Sequence, residues 1–230
     1  MPGILVSAII PAHNGEKHLA EAIESVLAQD YRPFELLVVD DGSTDGTRSI
    51  ASSYPDVRLL VQENAGVSAA RNAAAKAARG MLFAFLDQDD RWTPDKLSVQ
   101  VPPLRENPSI DFTLGYQRIH VDEGESMPRW LETWGVGQEH VGHFPGTLVV
   151  RRKAFERTGG FSPGCEPAEG ADWFLRAGEA GLTKYIVPRV VLLKRIHKDN
   201  QSGDQTVVRR KVFQAIRCSL RRRRDAGMNE

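Results

Sequence analysis

Three aspartates within four residues, Asp87, Asp89 and Asp90, directly follow the apolar run Met81–Leu86. Carboxylates packed this closely repel one another and resist ionisation unless a cation is shared among them. As hard oxygen ligands they suit Mg²⁺ or Mn²⁺, which could bridge them to a diphosphate and neutralise charge on a leaving group. A second acidic cluster, Asp40, Asp41 and Asp45, lies within Val39–Thr47 at the end of another apolar run. In an open α/β sheet such carboxylates face a cleft at the carboxyl ends of the strands, able to accept hydrogen bonds from a base or ribose. The same Asp, Ser and Gly residues also make turns and helix caps. Between the clusters, Gly66 permits a close approach ahead of a helix, and Arg71, one turn in, could pair with a carboxylate or phosphate.

Short β-rich runs alternating with helical patterns are what must position these residues. Val6–Pro11, Glu35–Asp40, Val57–Val61 and Met81–Leu86 read as strands. Glu16–Gln29 reads as an amphipathic helix, through Leu19, Ile23, Val26 and Leu27, and Val67–Arg79 as an Ala-rich helix ended by Gly80. Alternation of this kind predicts an α/β fold with a mainly parallel sheet covered on both faces. After Thr93 the pattern changes. A helix over Pro94–Glu106, a strand over Phe112–Val121, a strand over Thr147–Arg151, a helix over Glu169–Ala180 and a strand over Tyr185–Leu193 make a mixed second half. The stretch from Asp122 to Gly146 is too long for an ordinary connection and reads as a functional loop, with Trp130 and Trp134 as sugar-stacking candidates. Trp173 offers the same indole chemistry, weighed against core packing. The division is an α/β half over 1–93, a mixed half over 94–205 and a basic tail over 206–230, with 1–205 one domain.

Thirty basic and thirty acidic residues cancel in a chain of 230, so the whole-molecule field gives no reason to expect nucleic-acid binding. Cys165 and Cys218, far apart and outside any CxxC pattern, form neither a zinc cluster nor a disulfide framework, which fits a reducing, cytoplasmic setting. The apolar start, Ile4–Ile10, lacks a basic leader and is too short to span a bilayer, so it reads as a buried strand. The tail differs: Val212, Ile216 and Leu220 are spaced four apart among Arg209, Arg210, Lys211, Arg217 and Arg221–Arg224, a basic amphipathic helix that is either solvated or laid peripherally on the inner face of an anionic membrane. His140 and His143, three apart with no third ligand near, read as non-metallic.

In order, Pro11-Ala12-His13-Asn14, Val39-Asp40-Asp41-Gly42-Ser43-Thr44-Asp45, Gly66-Val67-Ser68-Ala69-Ala70-Arg71-Asn72 and Phe85-Leu86-Asp87-Gln88-Asp89-Asp90 resemble the inverting family-2 glycosyltransferases of GT-A fold, over about Val6 to Gln201. That resemblance implies a donor pocket for a nucleotide-diphosphate sugar, a UDP-sugar first, built from Pro11, Ala12, His13, Asn14, Asp41, Arg71, Asp87, Gln88 and Asp89. Asp87 and Asp89 would be the DxD pair meeting Mn²⁺ or Mg²⁺, Asp90 would lie behind them or touch the sugar, and His197, in a segment like the family's late His-x-x-Asn, would approach the metal or diphosphate. Acceptors are carbohydrate, lipid-linked or other hydroxyls. His13 stands where tyrosine is common. Gly170 stands where the family most often has its catalytic aspartate, leaving Asp172 or Glu169 as general base, with Asp172 slightly ahead; both are also the acids a helix dipole favours at its start. Two other classes remain open: a member that binds sugar nucleotide or glycan without transfer, and a sugar nucleotidyltransferase, which would normally open with a Gly-rich basic phosphate loop.

Overall fold

The computed structural model describes residues 3–122, 137–198, 200, 203–225 and 227. Among these residues, nine strands form one sheet. The first half contributes β1 (Val6–Ala12), β2 (Phe34–Asp41), β3 (Val57–Gln62) and β4 (Leu82–Phe85), joined by α1 (Leu19–Leu27), α2 (Thr47–Ser52) and α3 (Val67–Ala77). All pairings within this set are parallel, in the spatial order β3-β2-β1-β4.

Both faces of these strands are buried, which is why they read as unbroken apolar runs. Ala8, Ile10, Leu36, Val38 and Ala84 pack to the side holding Leu19, Ile23 and Val26 of α1. Ile9, Leu37, Val39, Phe83 and Phe85 pack to the other side with Ala70 and Ala74 of α3. The small residues of α3 let it approach the sheet closely.

The second half extends the same sheet. It adds β5 (Arg91–Trp92), α4 (Lys96–Glu106), β6 (Phe112–Val121), β7 (Glu139–Val141), a 3₁₀ turn (Pro145–Thr147), β8 (Val149–Arg151), α5 (Arg152–Thr158), α6 (Glu169–Glu179), β9 (Lys184–Ile196) and α7 (Gln205–Asp225). The strand β8 runs antiparallel between β4 and β6, so the two halves share one ladder rather than meeting at a linker. The pairing of β6 with β9 is parallel, and β5 returns antiparallel onto β9, directly after the three-aspartate segment.

Several boundaries differ from the sequence reading. Gly80 does not cap α3, which ends at Ala77 with Ala78 already extended. A Cβ at Gly80 would lie 2.6 Å from the Ser7 backbone nitrogen, so this glycine serves a close backbone approach. Thr147 belongs to the 3₁₀ turn, and β9 runs three residues further than the predicted Leu193, to Ile196. The short elements β5, β7, α2 and α5 carry too few residues for a periodicity to show. The tail is a helix of the domain, packed on α6. Its spacing of four does not hold one face: each step drifts about 40° around a helix, so Val212 turns toward the protein while Ile216 and Leu220 are exposed.

Candidate active site

The loops after β1, β2 and β4 and the start of α6 converge on a cleft of about 810 Å³. Pro11, Ala12, His13, Asn14, Asp41, Arg71, Asp87, Gln88, Asp89, Glu169 and His197 all line it. Motifs up to 186 positions apart in sequence therefore meet, because parallel strands deliver every β-to-α loop to one sheet end.

At one side, the Asp41 carboxylate accepts from the backbone N–H groups of Ala65 and Gly66, both at 2.9 Å, and from Gln62 Nε2 at 2.6 Å. Gly66 reaches this position with φ of 88°, a left-handed value that favours glycine. Asp40 and Asp45 divide from Asp41 in function. Asp40 accepts from the Ser43 N–H and Arg48 Nε, and Asp45 accepts from the Thr47 and Glu16 N–H groups, so these two build the turn. The turn-building reading thus holds for Asp40 and Asp45, and Asp41 is the member of the cluster that lines the cleft.

His13 is fixed from three directions. Its Nδ1 lies 2.8 Å from the Asp41 carbonyl, an acceptor only, which assigns the ring proton to Nδ1. Asn64 Nδ2 lies 3.2 Å from Nε2. Gln88 clamps the His13 backbone, accepting from its N–H at 2.8 Å and donating to its carbonyl at 3.1 Å. Gln88, expected as a donor contact, is seen here to position the loop that carries His13 and Asn14.

The three aspartates present ligand oxygens within 4.8 Å of one another. Asp89 Oδ2 meets His197 Nε2 at 3.0 Å and accepts from Asn200 Nδ2 at 2.9 Å. Burial works against ionisation of Asp89, but the His197 contact and the Lys194 charge prevail and bring it down to about 2. Asp90 is the opposite case: burial, with Asp89 and Asp87 beside it, pushes its carboxyl up to about 7 against the pull of Lys194 and the Arg195 N–H. Lys194 Nζ sits 3.1 Å from Asp90 Oδ2. Although burial disfavours its charge, the three carboxylates hold the Lys194 ammonium above its usual range. An all-oxygen donor set with an imidazole at its edge fits Mg²⁺ or Mn²⁺. Asp90, hydrogen-bonded to Lys194 and Arg195, lies behind that set.

Arg71 lines the cleft and takes the carboxylate pairing that the sequence allowed it. It is 1 % exposed, with Nη1 donating to Glu169 Oε1 at 2.7 Å and Nη2 donating to Asp87 Oδ1. Its guanidinium ties the acidic cluster to the start of α6, with its carbon 5.2 Å from the Phe161 ring centroid. Both of its Nη groups are engaged by this bridge between two carboxylates.

The α6 residues separate cleanly. Glu169 lines the cleft, and its Oε2 is buried without a hydrogen-bond partner among the described residues. Asp172 is not part of the cleft wall: its Oδ2 accepts from Ser162 Oγ at 2.7 Å and Arg176 Nε at 2.8 Å, with Arg222 3.8 Å from Oδ1. Of the two carboxylates weighed in the sequence, Glu169 is therefore the one at the cleft, because the Ser162, Arg176 and Arg222 contacts draw the Asp172 side chain to the flank of α6. Gly170 does face the cleft, and a Cβ there would lie 3.0 Å from Pro145 Cδ. Trp173 is fully buried among Phe112, Phe155, Phe161 and Phe174, which makes it core and not an acceptor platform. Trp130 and Trp134 lie outside the described residues.

Sequence reading missed Lys194, one of four cations in β9 and so not set apart by residue type from Lys184, Arg189 and Arg195. It also missed Gln62 and Asn64, whose contacts to Asp41 and His13 no spacing announces. Phe144 and Pro145 form the wall opposite Gly170.

Residues 7–168 match the sequence model of the family described as Glycosyl transferase family 2. A UDP-Glc:alpha-D-GlcNAc-diphosphoundecaprenol beta-1,3-glucosyltransferase of Escherichia coli, WfgD, is 43% identical over 122 residues, covering 52% of this chain and 48% of that protein. The Escherichia coli chondroitin synthase is 27% identical over 229 residues, covering 95% of this chain and 33% of that protein. The chain spans about half the length, or less, of such curated relatives. Among solved structures, S. aureus TarS 1-349 in complex with UDP-GlcNAc superposes with a TM-score of 0.74 at 20% identity, covering 95% of this chain and 65% of that one. The mannosyltransferase PcManGT from Pyrobaculum calidifontis, in complex with GDP-Man and Mn²⁺, gives 0.73 at 22% identity, covering 95% and 65%. At these identities the likeness carries the fold, which is GT-A.

Proposed function

The chain belongs to glycosyltransferase family 2, and from that premise we propose that it transfers a sugar from a nucleoside-diphosphate sugar to an acceptor hydroxyl, with inversion and with a divalent cation. The observation that carries this reading is the buried Arg71, which joins Asp87 to Glu169 through one guanidinium. It sets a carboxylate with an unpartnered oxygen at the α6 start across from the cluster suited to a metal and a diphosphate.

In this account the chain's own residues do the following. Asp41, His13 and Asn64 shape the nucleobase end, with Asp41 held in place by its backbone donors. Asp87 and Asp89 would hold Mn²⁺ or Mg²⁺, with His197 beside Asp89; when bound, the cation neutralises charge developing on the departing diphosphate. Glu169 takes the acceptor proton at Oε2 while Arg71 holds Oε1, and the acceptor oxygen attacks the anomeric carbon from the face opposite the diphosphate. One displacement step forms no covalent enzyme intermediate. The donor is a UDP-sugar and the acceptor a carbohydrate or lipid-linked hydroxyl, the pairing that WfgD is named for. Residues 1–93 serve the donor and 94–205 the acceptor. A reducing, cytoplasmic setting agrees with Cys165 and Cys218 being free thiols.

The test is release of nucleoside diphosphate from UDP-sugars with Mn²⁺ and candidate acceptors. Metal-dependent release that Asp89→Ala lowers at least about 100-fold is expected; release indifferent to chelator and to Asp89→Ala would sink the metal role. A second reading, binding without transfer, is favoured by one observation: Gly170 faces the cleft with no carboxylate. It predicts tight sugar-nucleotide binding and no release with any acceptor. Membership of a glycosyltransferase family speaks against the nucleotidyltransferase alternative.

A further inference from the structure

The helix α7 carries two separate non-polar stripes. Ala215 and Ser219 are buried against the domain, Val208 and Val212 continue their line into the cleft wall, and Arg222 pairs with Glu179 on α6 at 2.6 Å. Positions 208, 212, 215 and 219 are the spacing of one helix face. That face is fully accounted for by packing.

The second stripe has no such account. Phe213, Ile216 and Leu220 are 66%, 39% and 58% exposed. At 100° per residue they point within an arc of about 60°, flanked by exposed arginines on either side: Arg223 toward the domain, Arg217, Arg221 and Arg224 away from it. Asp225 is the sole acidic residue of the helix. In a chain whose charges cancel overall, this is a concentrated local cation field wrapped around an apolar line.

We propose that this outer face of α7 docks in the plane of an anionic phospholipid surface, with Phe213, Ile216 and Leu220 entering the headgroup–acyl boundary and the arginines meeting lipid phosphates. Charge decides against a second copy of the chain, because a two-fold contact along this face would set arginine against arginine. Size decides against a stable protein partner: three side chains along one helix edge fall far short of the roughly 800 Å² per side that such an interface needs. An apolar line with a cationic border is instead the chemistry of an interfacial helix.

The placement has a consequence for the substrate. Val208 and Val212, on the same helix, line the cleft. Docking would therefore bring the cleft to about one helix diameter, on the order of 10 Å, from the headgroups. This selects a lipid-anchored acceptor over a freely diffusing one. The choice of acceptor rests on the transferase reading above, whereas the docking surface does not.

The test is co-sedimentation of the full chain with phosphatidylcholine vesicles, with and without phosphatidylglycerol, beside the variant Phe213→Ser/Ile216→Ser/Leu220→Ser. Salt-sensitive binding to the anionic vesicles is expected, at least about tenfold tighter than to neutral ones and at least about tenfold weaker in the triple variant. Melting temperature and UDP–Mn²⁺ binding should be unchanged in the variant, and turnover should fall on a vesicle-borne acceptor but not on a soluble one. Absence of binding to anionic vesicles, or equal binding by the triple variant, overturns the proposal. So does a dimer in sedimentation velocity that the substitutions dissolve, which would assign the face to a second copy. Vesicle binding by a protein that transfers no sugar would uphold the docking surface and defeat the transferase reading.

Discussion

At the scale of single residues, the site turns on which carboxylates face the cleft and which are consumed in building it. Residue type was enough to mark the candidates, because clustered aspartates repel one another unless a partner or cation is shared among them. It could not sort them. Asp40 and Asp41 are adjacent, yet strand alternation sends one to the Arg48 side and the other to the cleft. Glu169 and Asp172 share one helix turn, yet only Glu169 reaches the cleft. Asp172 holds Ser162 and Arg176 in a largely buried pair, so Asp172→Asn should act on stability and not on chemistry. Breaking such a pair is expected to cost about 3 kcal/mol, read as a lower urea midpoint, with turnover per folded molecule within about twofold of the parent. A loss of turnover at full stability would return Asp172 to the site.

At the scale of elements, the strands that position the site were legible because burial on both faces left uninterrupted apolar runs. The connections were less so. The loop after β1 is shaped by Gln88, 75 positions away, through two hydrogen bonds to the His13 backbone. No local pattern encodes a contact of that separation. Gln88→Ala removes both bonds, worth about 1 kcal/mol in net terms, and the donor KM should rise about fivefold with kcat little changed. Initial-rate kinetics over donor concentration would check this, and a change confined to kcat would show that Gln88 acts on the chemical step instead. The helix α7 teaches a related lesson. Its basic, amphipathic character was plain from composition, while the split into a packed stripe and an exposed one follows only from where α6 lies.

At the scale of the whole molecule, a single sheet shared by both halves explains why motifs from Pro11 to His197 meet at one sheet end, and why the order of the motifs sufficed to name the family. What order could not supply was the coupling between them, carried by Arg71. The balance of charges also has a global consequence. Asp122, through its paired hydrogen bonds from Arg195, titrates below its ordinary range, as does Asp89, where the His197 contact and Lys194 outweigh burial. Asp40 is lowered as well, the Ser43 and Arg48 contacts overcoming burial. A folded-state value below the unfolded one contributes stability above about pH 4 that is lost as pH falls toward the folded value. Asp90, raised to about 7, works in the opposite sense between about pH 4 and 7. In metal-free buffer the urea midpoint should therefore fall mainly below about pH 4, and a steady decline beginning at neutral pH would contradict these assignments. The central claim, however, is that Glu169, oriented by Arg71, is the group that activates the acceptor at a cleft whose usual aspartate is Gly170. Turnover of Glu169→Gln, measured beside its affinity for the donor, tests it most directly. The account predicts a fall in kcat of at least about 100-fold with donor Kd within a few-fold of the parent; kcat retained at the parental level would contradict it.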